Sequence, residues 1–166
     1  MRVREFQSEL WLPVPPEELF PFFADATNLN AITPPWLHFQ IVTPPPILMR
    51  EGTLIDYRLR VHGLPVRWRT RIRTWQPPRR FVDEQIRGPY RLWIHEHTFE
   101  PRDGGTLARD HVRYAVPFDC IVHRLFVRRD IETIFQFRAD ALRKRFGAGA
   151  SPSNDVSTAP RSPAPA

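Results

Sequence analysis

The sequence predicts an α+β domain: a curved antiparallel sheet of about seven strands wrapped around a long C-terminal helix, with two short helices after the first strand. Three observations carry this. From about residue 37 to 116, hydrophobicity alternates residue by residue in six runs, the period of a half-buried strand. Short stretches rich in Gly, Pro and Asp separate most of the runs, so consecutive strands turn back on one another as hairpins. After Pro117 the period changes. "DCIVHRLFVRRDIETIFQFRADALRKRF" places Val127, Ile131, Ile134, Phe135, Ala139, Leu142 and Phe146 on one helical stripe, a natural cover for the concave side of the sheet.

The elements follow in order. "VREFQSELWLPV" alternates as a strand until Pro13, Pro15 and Pro16 stop it. "PPEELFPFFADATNL" reads as a helix. Pro16 suits its first turn, Glu17 and Glu18 suit its positive N-terminus, and Leu19, Phe20, Phe22 and Phe23 form the buried face. Pro21 limits it to a short or kinked helix, and "LNAITPPW" adds one more turn that Pro34 and Pro35 end. The six meander strands are "HFQIV", "GTLIDYRLRV", "PVRWRTRIRTW", "RFVDEQI", "YRLWIHEHTFE" and "GTLARDHVRYAV".

With 166 residues, 42% of them hydrophobic, the chain suits one compact domain, taken as residues 1–147. "AGASPSNDVSTAPRSPAPA", residues 148–166, is small, polar and proline-rich, and reads as a disordered tail. No apolar run has the length of a signal peptide or a membrane span, so a cytoplasmic protein is expected. The single cysteine, Cys120, excludes an internal disulfide and a multi-cysteine zinc site, and reads as a small buried residue. Formal charge is +6, yet Lys144 is the only lysine among 24 basic residues and there are 19 prolines. That pairing reflects a bias toward Arg and Pro, as in an Arg- and Pro-biased genome, more than a nucleic-acid partner. None is expected, and the chain is expected to be a monomer or weak homodimer.

Charge sets the inward phase of most strands. Arg67, Arg69, Arg71 and Arg73 form one row of their strand and belong in water, since unpaired arginines are costly to bury; Trp68, Thr70 and Ile72 then face inward. By the same logic Ile55, Tyr57, Leu59 and Val61 face in. In "WIHEHTF" the choice is finer. Turning Trp93, His95, His97 and Phe99 inward buries two large aromatics, and sending Arg109, His111 and Arg113 outward brings Asp110 and Tyr114 in. The space between sheet and helix then holds Asp83, Gln85, His95, His97, Asp110, Tyr57 and Tyr114, faced by Ile134 and Arg138 of the helix. So many polar groups are more than core filling needs, and a cavity for a small molecule accounts for them. Residue by residue, a plainer reading is that His95 and Asp110 satisfy each other across strands and Arg138 pairs with a carboxylate.

Other chemistries are weaker. His-x-His puts both imidazoles on one face, as in cupin metal sites, but Glu100 leaves on the opposite face and the later ligand histidine is missing. Asp83 or Asp110 would have to complete a site, so no metal and no cofactor are expected. No Gly-x-Ser-x-Gly elbow or phosphate-cradling glycine loop occurs, and Cys120 has no assigned base. General acid-base catalysis by His95 or His97 with Asp110 or Tyr114 stays open, as does docking of an acidic partner on the arginine-rich face.

The order of strand, two short helices, six-stranded meander and long helix resembles the helix-grip fold of the SRPBCC superfamily, which includes START lipid-transfer domains, polyketide cyclases and birch-pollen-allergen-like proteins. It covers residues 1 to about 147. "VPPEELFPFFADATNLNAITPPWL", "FVDEQIRGPYRLWIHEHTFEPRDGGTLARDHVRYAVP" and "IFQFRADALRKRF" are similar to a bacterial branch of ligand-binding or cyclase/dehydrase-like proteins. The resemblance implies a deep apolar cavity between sheet and C-terminal helix for lipid-like or polyketide-like molecules, with Tyr57, Trp68, Asp83, Gln85, Trp93, His95, His97, Phe99, Asp110, Tyr114, Ile134 and Arg138 as its candidate positions. Some members of the superfamily cyclise or dehydrate polyketides and others only bind or carry, so both a binder and a cyclase or dehydratase stay open.

Overall fold

The computed structural model describes residues 2–117 and 126–147. β1 (Arg4–Leu12) leads into α1 (Pro16–Ala24) and two 3-10 segments, Ala26–Ile32 and Pro35–Leu37. The meander follows as β2 (Gln40–Ile41), β3 (Leu54–Val61), β4 (Leu64–Gln76), β5 (Arg80–Arg87), β6 (Leu92–Arg102) and β7 (Gly105–Ala115), and α2 (Arg128–Phe146) comes last. All seven strands form one antiparallel sheet in the order β1-β7-β6-β5-β4-β3-β2. Cys120, the first turns of the expected C-terminal helix (119–125) and the 148–166 tail lie outside the described residues.

Local chemistry trims the expected elements. The helix does not run on through Ala26: the Asp25 carboxylate accepts from the Thr27 amide at 2.9 Å and its hydroxyl at 2.7 Å, which stops α1 and caps a separate 3-10 segment. Pro35 does not end a turn but begins one, because a first-turn proline loses no internal hydrogen bond. The turn closes on His38 in the left-handed region, so the expected strand 38–42 shrinks to Gln40–Ile41. Elsewhere the turn signals act as read. His62 and Gly63 between β3 and β4, and Asp103 and Gly104 between β6 and β7, all have positive φ, the requirement of a tight two-residue hairpin.

Two register shifts between β4 and β5 insert an unmatched residue on each strand, which bends the sheet. α2 lies on the resulting concave side. Its Leu142 packs with Leu10, Leu12, Leu19, Phe20 and Phe99, while Ile131 and Phe135 pack with Val112, Tyr114 and Val116. Leu12 and Leu19 have no exposed surface, and burial of such a side chain contributes about 2 kcal/mol. On the convex side several arginines are paired, where the sequence left the β4 row unpaired. Arg69 holds Asp56 through two hydrogen bonds of 2.7 and 2.8 Å, Arg71 meets Glu84, Arg80 meets Glu96, and Arg109 bridges Glu9 and Glu100. Among the described residues no helix is long and apolar enough to cross a membrane.

Candidate functional site

A cavity of about 990 Å³ lies between the inner face of the sheet and α2. At about 30 Å³ per water this is room for roughly thirty waters, far more than a packing defect. β3 and β4 supply Ile55, Tyr57, Trp68 and Ile72; α1 and the 3-10 segments supply Phe22, Phe23, Leu29 and Ile32; α2 supplies Ile131, Ile134 and Phe135. The polar side chains gather in two places. At one, Thr70 shares a 2.7 Å hydrogen bond with the Tyr57 hydroxyl and accepts from Trp68 Nε1 at 3.1 Å. At the other stand Asp83, His95 and His97, with Arg138 facing them from α2.

Strand register builds the second group. Asp83 on β5 is directly opposite His95 on β6, and Asp110 on β7 is directly opposite His97. Each imidazole therefore sits between two carboxylates. His95 Nε2 donates to Asp110 Oδ1 at 2.8 Å, and His97 Nδ1 lies 2.9 Å from the same oxygen. The opposite nitrogens turn to Asp83 Oδ2, at 3.2 Å from His97 Nε2 and 3.7 Å from His95 Nδ1. The two rings are 3.7 Å apart, and Phe81 stacks on His97 at 4.0 Å. Both histidines are about 95% buried, at 5% and 4% exposure.

Burial, reinforced by the neighbouring His97, lowers His95 to about 4 against the opposing pull of Asp110 and Asp83. At neutral pH this ring is an uncharged imidazole. Burial alone would raise Asp110, but the charge of Arg138 and hydrogen bonds from both histidines hold its carboxyl well below the usual range. Burial, with the charge of Asp83, pushes the Tyr57 phenol far up, so it stays protonated. Arg138 acts on Asp110 by its charge, while its Nε is buried without a hydrogen-bond partner and its guanidinium lies 5.5 Å from the Phe23 ring centre.

Of the positions singled out in the sequence, Tyr57, Trp68, Asp83, Trp93, His95, His97, Ile134 and Arg138 line this cavity. Four others are placed differently. The Gln85 amide closes the β5–β6 loop by bonding the Tyr90 backbone in both directions, at 2.6 and 3.2 Å. Phe99 packs against α1, Tyr114 is 3% exposed in the core beneath α2, and Asp110 stands behind the imidazoles, away from the cavity surface. Phe23, Thr70, His62 and Asp130 line the cavity without having been singled out as site residues. Thr70 was legible, since it shares the inward row of Trp68 and Ile72. The pairing of His62 with Asp130, 68 residues away, had no local signal.

Residues 12–143 match the family described as polyketide cyclase / dehydrase and lipid transport. The chain belongs to that family. Membership places it in the SRPBCC superfamily. Among solved structures, Ara h 8.0201 is 19% identical with a TM-score of 0.64, covering 89% of this chain and 100% of its own. Protein CV1439 from Chromobacterium violaceum is 16% identical with a TM-score of 0.67, covering 86% and 96%. A Thalictrum norcoclaurine synthase point mutant, in complex with a transition state analogue, is 12% identical with a TM-score of 0.63, covering 87% and 96%. At these identities the family likeness is one of fold, the helix grip. No curated protein sequence matches the chain.

Proposed function

We propose that the chain binds an amphipathic small molecule, lipid-like or polyketide-like, with its apolar body along Ile55, Trp68, Ile134 and Phe135. Its polar or anionic end meets Arg138 and the histidine group. The observation that supports this most is the Arg138 Nε donor, buried and unpartnered at the edge of a large apolar cavity. A buried N–H left without an acceptor is costly, and a carboxylate or phenolate on a guest would supply one. Apolar walls with a few converging polar groups are the usual makeup of such a site.

Native mass spectrometry of the purified protein, followed by organic extraction, tests this. A bound or extractable species of a few hundred daltons is expected. Arg138→Gln should weaken an acidic guest by about 10- to 100-fold, the worth of a hydrogen bond to a charged group. Protein that carries nothing and gains no thermal stability from any of a panel of fatty acids and aromatic acids would sink the proposal.

A cyclase- or dehydratase-type enzyme is the second reading, favoured by the placement of His95 and His97 on the cavity surface with Asp110 behind both rings. A carboxylate behind an imidazole fixes its tautomer and opposes the burial that lowers His95, which favours a general base. If His95→Ala and His97→Ala both leave turnover of a candidate substrate unchanged, neither is the base.

A further inference from the structure

Two imidazoles and a carboxylate converge at the polar end of the cavity. Asp110 Oδ1 accepts from His95 Nε2 at 2.8 Å and lies 2.9 Å from His97 Nδ1. The other nitrogens, His95 Nδ1 and His97 Nε2, converge on Asp83 Oδ2 at 3.7 and 3.2 Å. Donor atoms gathered in this way in a buried pocket call for a positive centre among them, a proton or a metal ion.

We propose that Asp83, His95 and His97 form a site for a divalent first-row transition ion, with its free coordination positions open to the cavity. One donor atom from each residue lies within 4.8 Å of the others. Nitrogen or oxygen donors about 2.1 Å from a tetrahedral ion are about 3.4 Å apart, and the two distances to Asp83 Oδ2 straddle that value. Two imidazoles with one carboxylate suit zinc or iron(II) and disfavour calcium and magnesium, which take oxygen. Asp110 fills the supporting role, because a ligating histidine normally donates its remote N–H to a carboxylate.

The sequence argued against a metal because Glu100 leaves on the opposite face, which left Asp83 or Asp110 to complete the pair of histidines. Cross-strand register supplies the third ligand instead, from Asp83. With a divalent ion in place, the two carboxylates and Arg138 leave one net positive charge at the polar end of the cavity. The open position therefore takes an anionic or strongly polarised oxygen of the guest, or a water when no guest is bound.

The test uses the full chain, stripped with a chelator and titrated at neutral pH with Zn²⁺ and, separately, Co²⁺. One ion per chain is expected. Asp83→Asn should cost at least about 100-fold in affinity, and Asp110→Asn about 10- to 100-fold, as loss of a supporting carboxylate does. Nitrogen-15 NMR of the Zn²⁺ form should show His95 bound through Nδ1 and His97 through Nε2, with the remaining protons on the nitrogens facing Asp110. This measurement needs no variant and decides the matter if the substitutions do not fold. The proposal is overturned by folded protein that takes up neither ion, or by binding that Asp83→Asn and His97→Ala leave intact. It is equally overturned by a ring protonated on both nitrogens in excess Zn²⁺, since a proton would then occupy the gap.

Discussion

Thr106 has no exposed surface, and its hydroxyl donates to the Val14 carbonyl at 2.7 Å, tying the start of β7 to the chain that leaves β1. Thr106→Val keeps the shape and removes the donor, leaving that carbonyl short of a partner. The expected cost is about 1–2 kcal/mol, a fall in Tm of roughly 2–8 °C, with Thr106→Ser close to wild type. Calorimetry or urea unfolding checks it, and a Thr106→Val protein as stable as wild type would mean the bond contributes nothing net. Nothing in the sequence marked this threonine, because its partner is 92 residues away. Residue parity was legible where charge forced it. Four arginines on one side of β4 left Trp68, Thr70 and Ile72 no choice, and each is buried. Parity gives the side of a strand but not the depth along it. Asp83 and Gln85 share a row, yet only Asp83 lies where α2 leaves space; the Gln85 amide is spent on Tyr90. For the same reason Phe99, two residues beyond His97, belongs to the core under α1.

Elements meet at one end of the cavity. There the tip of the β3–β4 hairpin reaches the first turn of α2, where His62 Nε2 is 2.8 Å from Asp130 Oδ2 and the His62 ring lies 5.4 Å from Phe126. Phe126 is 49% exposed and Trp36 52%, apolar groups that line the cavity and also face solvent, as the rim of an entrance would. His62→Asn keeps a residue that tolerates the positive φ of this turn but is too short to hold Asp130. An exposed pair adds little stability, so Tm should move by no more than about 2 °C. Exchange of a bound fluorescent fatty acid, followed by stopped-flow displacement, should nevertheless quicken about 2- to 5-fold in both directions, with Kd nearly unchanged. Unchanged exchange rates would place the entrance elsewhere. At this scale the sequence showed where the hairpins turn, since Gly and Pro act locally, but not the shortening of the expected strand 38–42. It did not show that Asp25 would capture Thr27 and divide a helix, because an internal cap competes with helix propagation at similar energy.

For the whole molecule, six alternating runs followed by one helical stripe left few alternatives to a sheet gripping a helix. Hidden from the sequence were the partner of β1, which pairs with β7, and the β4–β5 register shifts that help curve the sheet. Charge was open to two readings. A net charge of +6 and an arginine row on β4 invite a polyanion, whereas the folded sheet sets acidic residues among the arginines across strands. Paired in this way, Arg69, Arg71, Arg80 and Arg109 do not add to one positive field that would condense on phosphate. The stacking aromatics that single-stranded nucleic acids use are on the other side of β4, where Trp68 is buried. Fluorescence anisotropy with a labelled single-stranded oligonucleotide should therefore show no binding tighter than about 100 μM at 150 mM salt, the weak end of non-specific association. Binding at low micromolar concentration would reverse this reading if its affinity fell steeply with salt and the double variant Arg67→Glu, Arg73→Glu abolished it. The outer face would then join the cavity as a second functional surface.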